Sequence, residues 1–231
     1  MPGYEVRRQH ITVQGGDQLH IESLLNNQQF HDPDGVAAAL GVTAATWPLF
    51  GQIWPSACKL ADLMQGVDLQ GRRVLEMGCG LGLASLVIHR RQGDITASDC
   101  HPLTEHFLQA NAVLNALPPM RYQTGHWGHA NPDLGRFDLL IGSDVLYERD
   151  HPTQLTGFIE EHAHPTAEVM IVDPNRGNRP AFHRAMAQLG FDLTESRLDS
   201  RPPEGVAYQG RLLHYHRVGQ PVHQAAHPPA Q

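Results

Sequence analysis

Three alternating glycines follow an apolar run in residues 74–86, VLEMGCGLGLASL, where a strand would pass into a helix. Gly78, Gly80 and Gly82 lie two positions apart, and the acidic residue Glu76 precedes them by two. Glycine lets bare backbone N–H groups come close to a ligand, and the start of a helix adds further free N–H groups. The pattern therefore indicates a nucleotide-like cofactor without identifying it.

The spacing of these glycines argues against two common nucleotide motifs. The dinucleotide fingerprint G-x-G-x-x-[GA] requires Gly or Ala at position 83 or 85, where this chain has Leu83 and Ser85. The Gly-Lys-Ser/Thr ending of a phosphate-binding P-loop is also absent. What remains is E-x-G-x-G-x-G followed by Asp99, seventeen residues after Gly82. A carboxylate at the end of the next strand can accept hydrogen bonds from both hydroxyls of a ribose.

This combination resembles the cofactor site of the class I, seven-β-strand methyltransferases that depend on S-adenosylmethionine. Three further segments resemble the small, cytosolic, single-domain protein-lysine methyltransferases of that superfamily: 50–64 (FGQIWPSACKLADLM), 126–128 (HWG) and 137–148 (FDLLIGSDVLYE). Together with the 72–116 core they cover roughly residues 47–190. The D-x-x-Y unit at the end of the third segment is the most diagnostic piece.

The resemblance implies a role for each matching residue. The implied cofactor-binding residues are Trp54, Glu76, Gly78, Cys79, Gly80, Gly82, Asp99, Trp127 and Ser143. Trp54 would lie near the methionine end of the cofactor, Asp99 would hold the ribose, and Trp127 would lie beside the adenine. Ser143 takes the place of a small residue where bulk would collide with the adenosine. For the two tryptophans, plain core packing is the alternative.

Asp144 and Tyr147, the ends of the D-V-L-Y unit, are the implied catalytic residues. A lysine acceptor, with a pKa of about 10.4, must lose its proton before it can attack. A carboxylate and a phenol could orient the neutral amine in line with the sulfonium, and an aromatic face attracts the cation formed after methylation. The alternative is that Asp144 caps the following turn and Tyr147 packs on it.

These implications predict an N-methyltransferase that uses S-adenosylmethionine, releases S-adenosylhomocysteine and acts on a protein side chain, lysine before histidine. Two alternatives stay open: a small-molecule N-methyltransferase, and a scaffold that binds the cofactor without turnover. The polar segment Asp173-Pro174-Asn175-Arg176 is assigned only loosely to substrate contact. The substrate itself therefore stays open.

The elements that must position these residues follow from the periodicity after residue 72, where strand-length apolar runs alternate with helix-length segments. Alternation of this kind predicts an α/β fold with a Rossmann-like, doubly wound, seven-stranded sheet, mostly parallel with the last strand antiparallel. The predicted strands are RRVLEMG, DITASD, RYQTG, FDLLIGSD, AEVMIVDP, FDLTESRL and RLLHYHRV, and the predicted helices lie near 35–40, 56–65, 82–91, 102–116, 150–162 and 178–189.

The N-terminal region predicts an appended β-hairpin that turns at Gly15-Gly16-Asp17. We therefore expect a hairpin and lead-in segment over 1–46, a methyltransferase domain over 47–217, and a disordered tail over 218–231. The sequence of this tail shows no helical or strand periodicity.

Composition narrows the partners and the compartment. The net charge of −7 opposes binding to nucleic acid, and no apolar run approaches the roughly 20 residues of a membrane span. The first sixteen residues lack the apolar core of a signal peptide, and three cysteines do not make a disulfide framework. Sixteen histidines show no zinc-like spacing, so no metal site is expected. We expect a cytoplasmic monomer with a protein substrate and with neither nucleic-acid nor membrane partners.

Overall fold

The computed structural model describes residues 3–200 and 207–219. The strands are β1 (Val6–Thr12), β2 (Gln18–Leu24), β3 (Arg73–Met77), β4 (Asp94–Asp99), β5 (Arg121–Thr124), β6 (Phe137–Ser143), β7 (Ala163–Asp173), β8 (Asp192–Arg197) and β9 (Arg211–Arg217). The helices are α1 (Val36–Ala39), α2 (Pro55–Met64), α3 (Leu83–Arg90), α4 (Thr104–Leu114), α5 (His151–His162) and α6 (Arg179–Gln188). Short 3-10 helices span Gln14–Gly16 and Trp47–Gly51.

Seven strands form one sheet in the order β5-β4-β3-β6-β7-β9-β8. Neighbours from β5 to β7 are parallel, and β9 is antiparallel to both β7 and β8. The predicted Rossmann-like sheet with its last strand antiparallel is thus confirmed. Strand order reverses between β3 and β6, and in open α/β sheets the carboxyl ends at such a reversal border a ligand crevice.

Alternation of side chains along the central strands builds a core on each face of the sheet. In β3, Val74 packs with the core that includes α2 and α3, while the next residue, Leu75, packs with the core that includes α5. In β6, Ile141 packs with the first of these cores and Leu140 with the second. Because both faces are covered, consecutive residues of these strands are apolar, as is typical of parallel sheets.

The N-terminal hairpin is confirmed, with β1 and β2 antiparallel around the 3-10 helix Gln14–Gly16. It is more than an appendage, however, because the β2 side chains Leu19 and Ile21 are fully buried in the main core. Asn111 of α4 pairs with the backbone of Glu22, accepting from its N–H at 2.7 Å and donating to its carbonyl oxygen at 3.2 Å. Asn115 does the same with His20. The two amides therefore bind β2 as a neighbouring strand would.

The boundaries proposed from the sequence, 1–46 and 47–217, stay a prediction. Most of the expected disordered tail, from residue 220 onward, lies outside the described residues, as does part of the loop before β9. No helix among residues 3–200 and 207–219 is long and apolar enough to cross a membrane. Over the same residues, no group of three or more His, Cys, Asp or Glu side chains is arranged to hold a metal ion.

Candidate active site

The three alternating glycines all adopt the left-handed backbone region, with φ of 62° at Gly78, 51° at Gly80 and 71° at Gly82. At Gly80 a second constraint is added, because a Cβ atom there would lie 2.9 Å from the backbone oxygen of Phe50. The loop after β3 thus passes directly against the 3-10 helix Trp47–Gly51. Both the backbone conformation and the close approach require glycine at position 80.

Gly78 lies directly against the indole ring of Trp127. A Cβ atom at position 78 would lie 3.2 Å from Cζ2 of Trp127 and 3.3 Å from Cγ1 of Val145. The loop, Asp99 and the indole ring contribute backbone N–H groups, a carboxylate and an apolar face, but no cationic side chain. This set of groups fits an adenosyl ligand that carries hydroxyls and a base but no phosphate.

Asp99 is held at the end of β4 by two backbone donors. The N–H of Gly80 donates to Oδ2 at 3.0 Å, and the N–H of His101 donates to Oδ1 at 2.9 Å. Burial raises the pKa of Asp99, while these N–H bonds act in the opposite direction. An ionised carboxylate has about four lone-pair sites, so each oxygen retains capacity for a ribose hydroxyl.

Glu76 and Cys79 shape the loop from the protein side. Both the backbone N–H of Ser85, at 2.8 Å, and its hydroxyl donate to Oε2 of Glu76, so this carboxyl joins β3 to the first turn of α3. Burial raises the pKa of Glu76 to about 7. Cys79 is buried, donates from its N–H to Ser98 O at 3.0 Å and accepts from the N–H of Gly82 at 2.8 Å. Their direct contact with a cofactor stays a prediction.

Trp54 and Ser143 are predicted site residues on two separate elements. Trp54 immediately precedes α2, is half-buried, and donates from Nε1 to the backbone oxygen of Leu49 at 2.9 Å. It therefore belongs to the segment whose Phe50 carbonyl approaches the glycine loop. Ser143 is half-buried at the end of β6, next to Asp144. No described hydrogen bond or aromatic contact joins Trp54 or Ser143 to the other predicted site residues.

Asp144 sits just beyond β6 with φ of 54°, and its N–H donates to Val172 O of β7 at 2.8 Å. Its carboxylate forms a two-bond pair with Arg176, from Nε to Oδ1 at 2.7 Å and from Nη2 to Oδ2 at 2.9 Å. Within the described residues, this carboxylate accepts no hydrogen bond from the turn that follows it. The capping alternative is therefore not what the structure shows, and the loosely assigned Arg176 proves to be its partner.

Tyr147 and Trp127 lie on either side of His151, the first residue of α5. Ring centroids are 4.6 Å apart for Tyr147 and His151, and 5.1 Å apart for Trp127 and His151, both edge-to-face. Nδ1 of His151 donates to the carbonyl oxygen of Val145 at 2.9 Å, and burial lowers the pKa of the imidazole. Tyr147 is 43% exposed, so its ring is accessible at the rim. This histidine links the two aromatic residues that the sequence treated separately.

Sequence reasoning missed His151, Phe50 and Ser85 as parts of this site. His151 lies four residues after Tyr147, a separation that could have signalled proximity to the D-x-x-Y unit. Phe50 acts through its backbone, and Ser85 was considered only as a failed motif position. Neither has a sequence signal for its contact with Gly80 or Glu76, since both contacts depend on how the 3-10 helix and α3 pack.

Comparison with known proteins identifies the family of this fold and crevice. The family model described as "Lysine methyltransferase" matches residues 47–187, which is more than half of the chain. EEF1A lysine methyltransferase 3 of Mus musculus is 27% identical over 157 residues, covering 64% of this chain and 66% of that protein. Protein N-lysine methyltransferase METTL21A of Danio rerio is 35% identical over 159 residues, covering 64% and 72%. Calmodulin-lysine N-methyltransferase of Arabidopsis thaliana is 28% identical over 158 residues, covering 62% of this chain and 52% of that protein.

Solved structures support the fold. Ribosomal protein L11 methylase from Lactobacillus delbrueckii subsp. bulgaricus aligns with a TM-score of 0.57 at 19% identity, covering 72% of this chain and 80% of that chain. Magnesium protoporphyrin IX methyltransferase from Synechocystis PCC 6803, solved with bound S-adenosylmethionine, aligns with a TM-score of 0.56 at 15% identity, covering 84% and 88%. At these identities the likeness concerns the fold alone.

The match over residues 47–187 coincides with the segments on which the resemblance rested, and it includes both the glycine loop and the D-x-x-Y unit. The predicted fold, the predicted cofactor and the predicted chemistry of methyl transfer to lysine are confirmed together. The chain belongs to the lysine methyltransferase family.

Proposed function

We propose that this chain methylates a lysine side chain of a partner protein, with the cofactor held over the glycine loop and the acceptor admitted between Asp144 and Tyr147. The observation that carries the proposal is the convergence of both sets of residues at the carboxyl edge of β3, β4 and β6. Named relatives that act on EEF1A and on calmodulin support a protein acceptor.

The chain's residues would hold the cofactor by complementary polarity. Asp99 would accept from the ribose hydroxyls, Trp127 would cover the adenine, and the Gly78–Gly80 backbone would lie beneath the adenosyl group. Trp54 would border the methionine end. Bound S-adenosylmethionine supplies a methyl group on a positively charged sulfur, which is already a good leaving group, so the protein's main task is alignment.

The acceptor end requires a neutral amine pointing along the line of the sulfur–methyl bond. Asp144 would accept a hydrogen bond from the amine, and its side chain is only 11% exposed, which keeps the carboxylate in one place. Tyr147 would offer its exposed ring to the incoming side chain and later to the methylated cation. Burial raises the pKa of the Tyr147 phenol, so it would act as a neutral hydroxyl.

Labelling of a cell lysate tests the acceptor class. The purified chain is incubated with methyl-labelled S-adenosylmethionine and lysate proteins, and the products are separated by mass. We expect label in discrete protein bands, with mass spectrometry placing it on lysine. Label only in the low-mass fraction would replace the protein acceptor by a small molecule, and cofactor binding without any product would indicate a scaffold. The cytoplasmic location and the monomeric state stay predictions of the same proposal.

Two variants separate cofactor binding from turnover. Asp99→Ala should abolish S-adenosylmethionine binding in calorimetry, because the ribose loses its acceptor. Asp144→Ala should bind the cofactor normally and lose about a hundredfold in turnover, the smaller end of what one positioned acid–base side chain contributes. Asp192→Ala is the matched control, since Asp192 is exposed at the start of β8 on the opposite sheet edge. Full turnover of Asp144→Ala would remove Asp144 from the proposed acceptor site.

A further inference from the structure

The ion pair between Asp144 and Arg176 brings a permanent positive charge to the proposed acceptor site. Two N–H···O bonds of 2.7 and 2.9 Å hold the guanidinium of Arg176 against the carboxylate of Asp144. The side chain of Asp144 is 11% exposed and that of Arg176 is 41% exposed, so the carboxylate is covered and the guanidinium reaches the surface. Bidentate pairs of this kind are stronger and more directional than ordinary surface ion pairs.

The loop after β7 is built to deliver this guanidinium. Asp173, which is fully buried, accepts from the backbone N–H of Arg176 through Oδ1 at 2.8 Å. Between them Asn175 has a φ of 65°, and its Oδ1 accepts from Arg179 and from Arg211, both at 3.0 Å. Four polar side chains thus hold the backbone from which Arg176 crosses to the end of β6. A freely moving surface arginine would need none of these contacts.

Charged and titratable groups surround the pair on several elements. Asp173 ends β7, Arg179 begins α6, Tyr147 and Glu148 follow β6, and Tyr208 precedes β9. Asp99, which ends β4, and Cys100, which follows it, act on Tyr147 from the proposed cofactor side. Burial raises the pKa of both tyrosines, of Asp173 and of Cys100, and the bonds to Asp144 raise the pKa of Arg176. Among these groups, the Asp144–Arg176 pair is the one that contains the carboxylate proposed to bind the acceptor.

This pairing matters because the acceptor amine has to react in its neutral form. A lone carboxylate within about 4–6 Å of an amine favours the ammonium form and shifts its pKa upward by about 1–3 units. Such a carboxylate would bind a lysine well and at the same time keep it unreactive. A carboxylate and the guanidinium paired with it have no net charge together, yet the carboxylate oxygens still have lone pairs that can accept a hydrogen bond.

We propose that Arg176 is a positioning residue for methyl transfer, which fixes the carboxylate of Asp144 and cancels its charge so that the acceptor amine is oriented without being held in its protonated form. This rests on the proposed function, and it assigns to the segment 173–176 a role in the reaction in place of a general contact with substrate. Arg176 acts through Asp144 and does not itself touch the reacting atoms.

A pH profile distinguishes this role from a structural one. The probe is heat-treated lysate protein, raised in concentration until the rate no longer increases, with saturating labelled S-adenosylmethionine, and the initial rate of label transfer is measured from pH 7 to 11. Because the acceptor is then saturating, the midpoint of the rise in rate reports the pKa of the amine in the complex. In Arg176→Gln that midpoint should move up by about one pH unit, with about a tenfold lower rate at pH 7.5 and convergence at high pH.

Arg176→Lys keeps the charge and loses the two-bond geometry, so its midpoint should stay with the wild type while its rate falls at every pH. Arg184→Gln is the matched control, because Arg184 is an exposed arginine of α6 without a described hydrogen bond or ion pair. Its profile should equal the wild-type profile. Calorimetry with S-adenosylmethionine should give unchanged affinity for all three variants, which shows that each has folded.

The outcomes separate this inference from the proposed function. An unmoved midpoint in Arg176→Gln, with a uniform loss of rate, would assign Arg176 to structure alone and overturn the inference while the enzyme still methylates protein. A wild-type enzyme that labels no protein at any pH would overturn the proposed function and this inference with it. A midpoint that moves equally in Arg176→Gln and Arg176→Lys would also contradict charge cancellation.

Discussion

Replacing Gly80 by alanine tests whether the cofactor loop depends on close backbone approach. Gly80 has a φ of 51°, and a Cβ atom there would lie 2.9 Å from the backbone oxygen of Phe50. Gly71 provides a matched control, because its φ is 68° and nothing lies within 4 Å of its would-be Cβ atom. Both substitutions place alanine in the left-handed region, but only the one at position 80 also meets a neighbouring backbone.

The expected free-energy costs follow from these two contributions. A non-glycine residue held in the left-handed region costs about 1 kcal/mol at the low end of the usual range, which is the whole effect expected for Gly71→Ala. A Cβ atom 2.9 Å from a backbone oxygen cannot be accommodated by a side-chain rotation, so the Trp47–Gly51 segment must shift. Overpacking of this kind adds about 1–3 kcal/mol. Gly80→Ala should therefore cost about 2–4 kcal/mol.

Denaturant unfolding measures the stability change, and an unchanged slope shows that both variants unfold as the wild type does. Calorimetry with S-adenosylmethionine measures the effect on the loop: Gly71→Ala should keep its affinity, while Gly80→Ala should lose more than about tenfold, equivalent to about 1.4 kcal/mol. Equal destabilisation of the two variants, or full cofactor affinity in Gly80→Ala, would refute the role assigned to the approach of Phe50.

Two further predictions concern the elements that support the site. Burial raises the pKa of Glu76 from its ordinary value of 4.5 to about 7, so its contribution to stability is present below pH 4.5 and is lost as pH rises through about 7. Glu76→Gln should reduce the stability difference between pH 5 and pH 8 by up to about 3 kcal/mol, and an unchanged difference would contradict the burial argument. Asn111→Ala should destabilise the protein by about 2 kcal/mol in thermal unfolding, because it leaves both backbone groups of Glu22 without their partner. Asn115→Ala should cost less stability than Asn111→Ala, because Asn115 is only half-buried. A larger loss for Asn115→Ala than for Asn111→Ala would show that other contacts hold the hairpin.

Much of the fold could be predicted from local patterns. The alternation of apolar runs and helical segments after residue 72 placed all seven strands of the sheet, and the Gly15-Gly16-Asp17 turn placed the hairpin. The burial of the hairpin against the main core could not be predicted from local sequence patterns. Its burial depends on Asn111 and Asn115, which are about ninety residues away and show no periodicity that would mark them as partners of a strand.

The site divides along the same line. Its proposed cofactor half was predicted from the spacing of the glycines, Glu76 and Asp99 along consecutive elements and from the family resemblance, and the left-handed backbone of the glycines is a local property. The sequence also indicated that Asp144 and Tyr147 belong together, since they lie within one D-x-x-Y unit. These are consequences of residue type and short separation, which one-dimensional information contains.

Only the tertiary structure decided what each acidic group faces. Glu76 faces Ser85 of α3, whereas Asp144 faces Arg176, thirty-two positions further along the chain. Phe50 meets Gly80, and His151 connects Tyr147 with Trp127, only after the strands and helices have packed. A side chain's charge and reactivity depend on its neighbours in space, and long-range packing selects those neighbours. Local sequence patterns and the family resemblance therefore predicted the cofactor and the fold, whereas packing determined which charged groups meet at the proposed acceptor site.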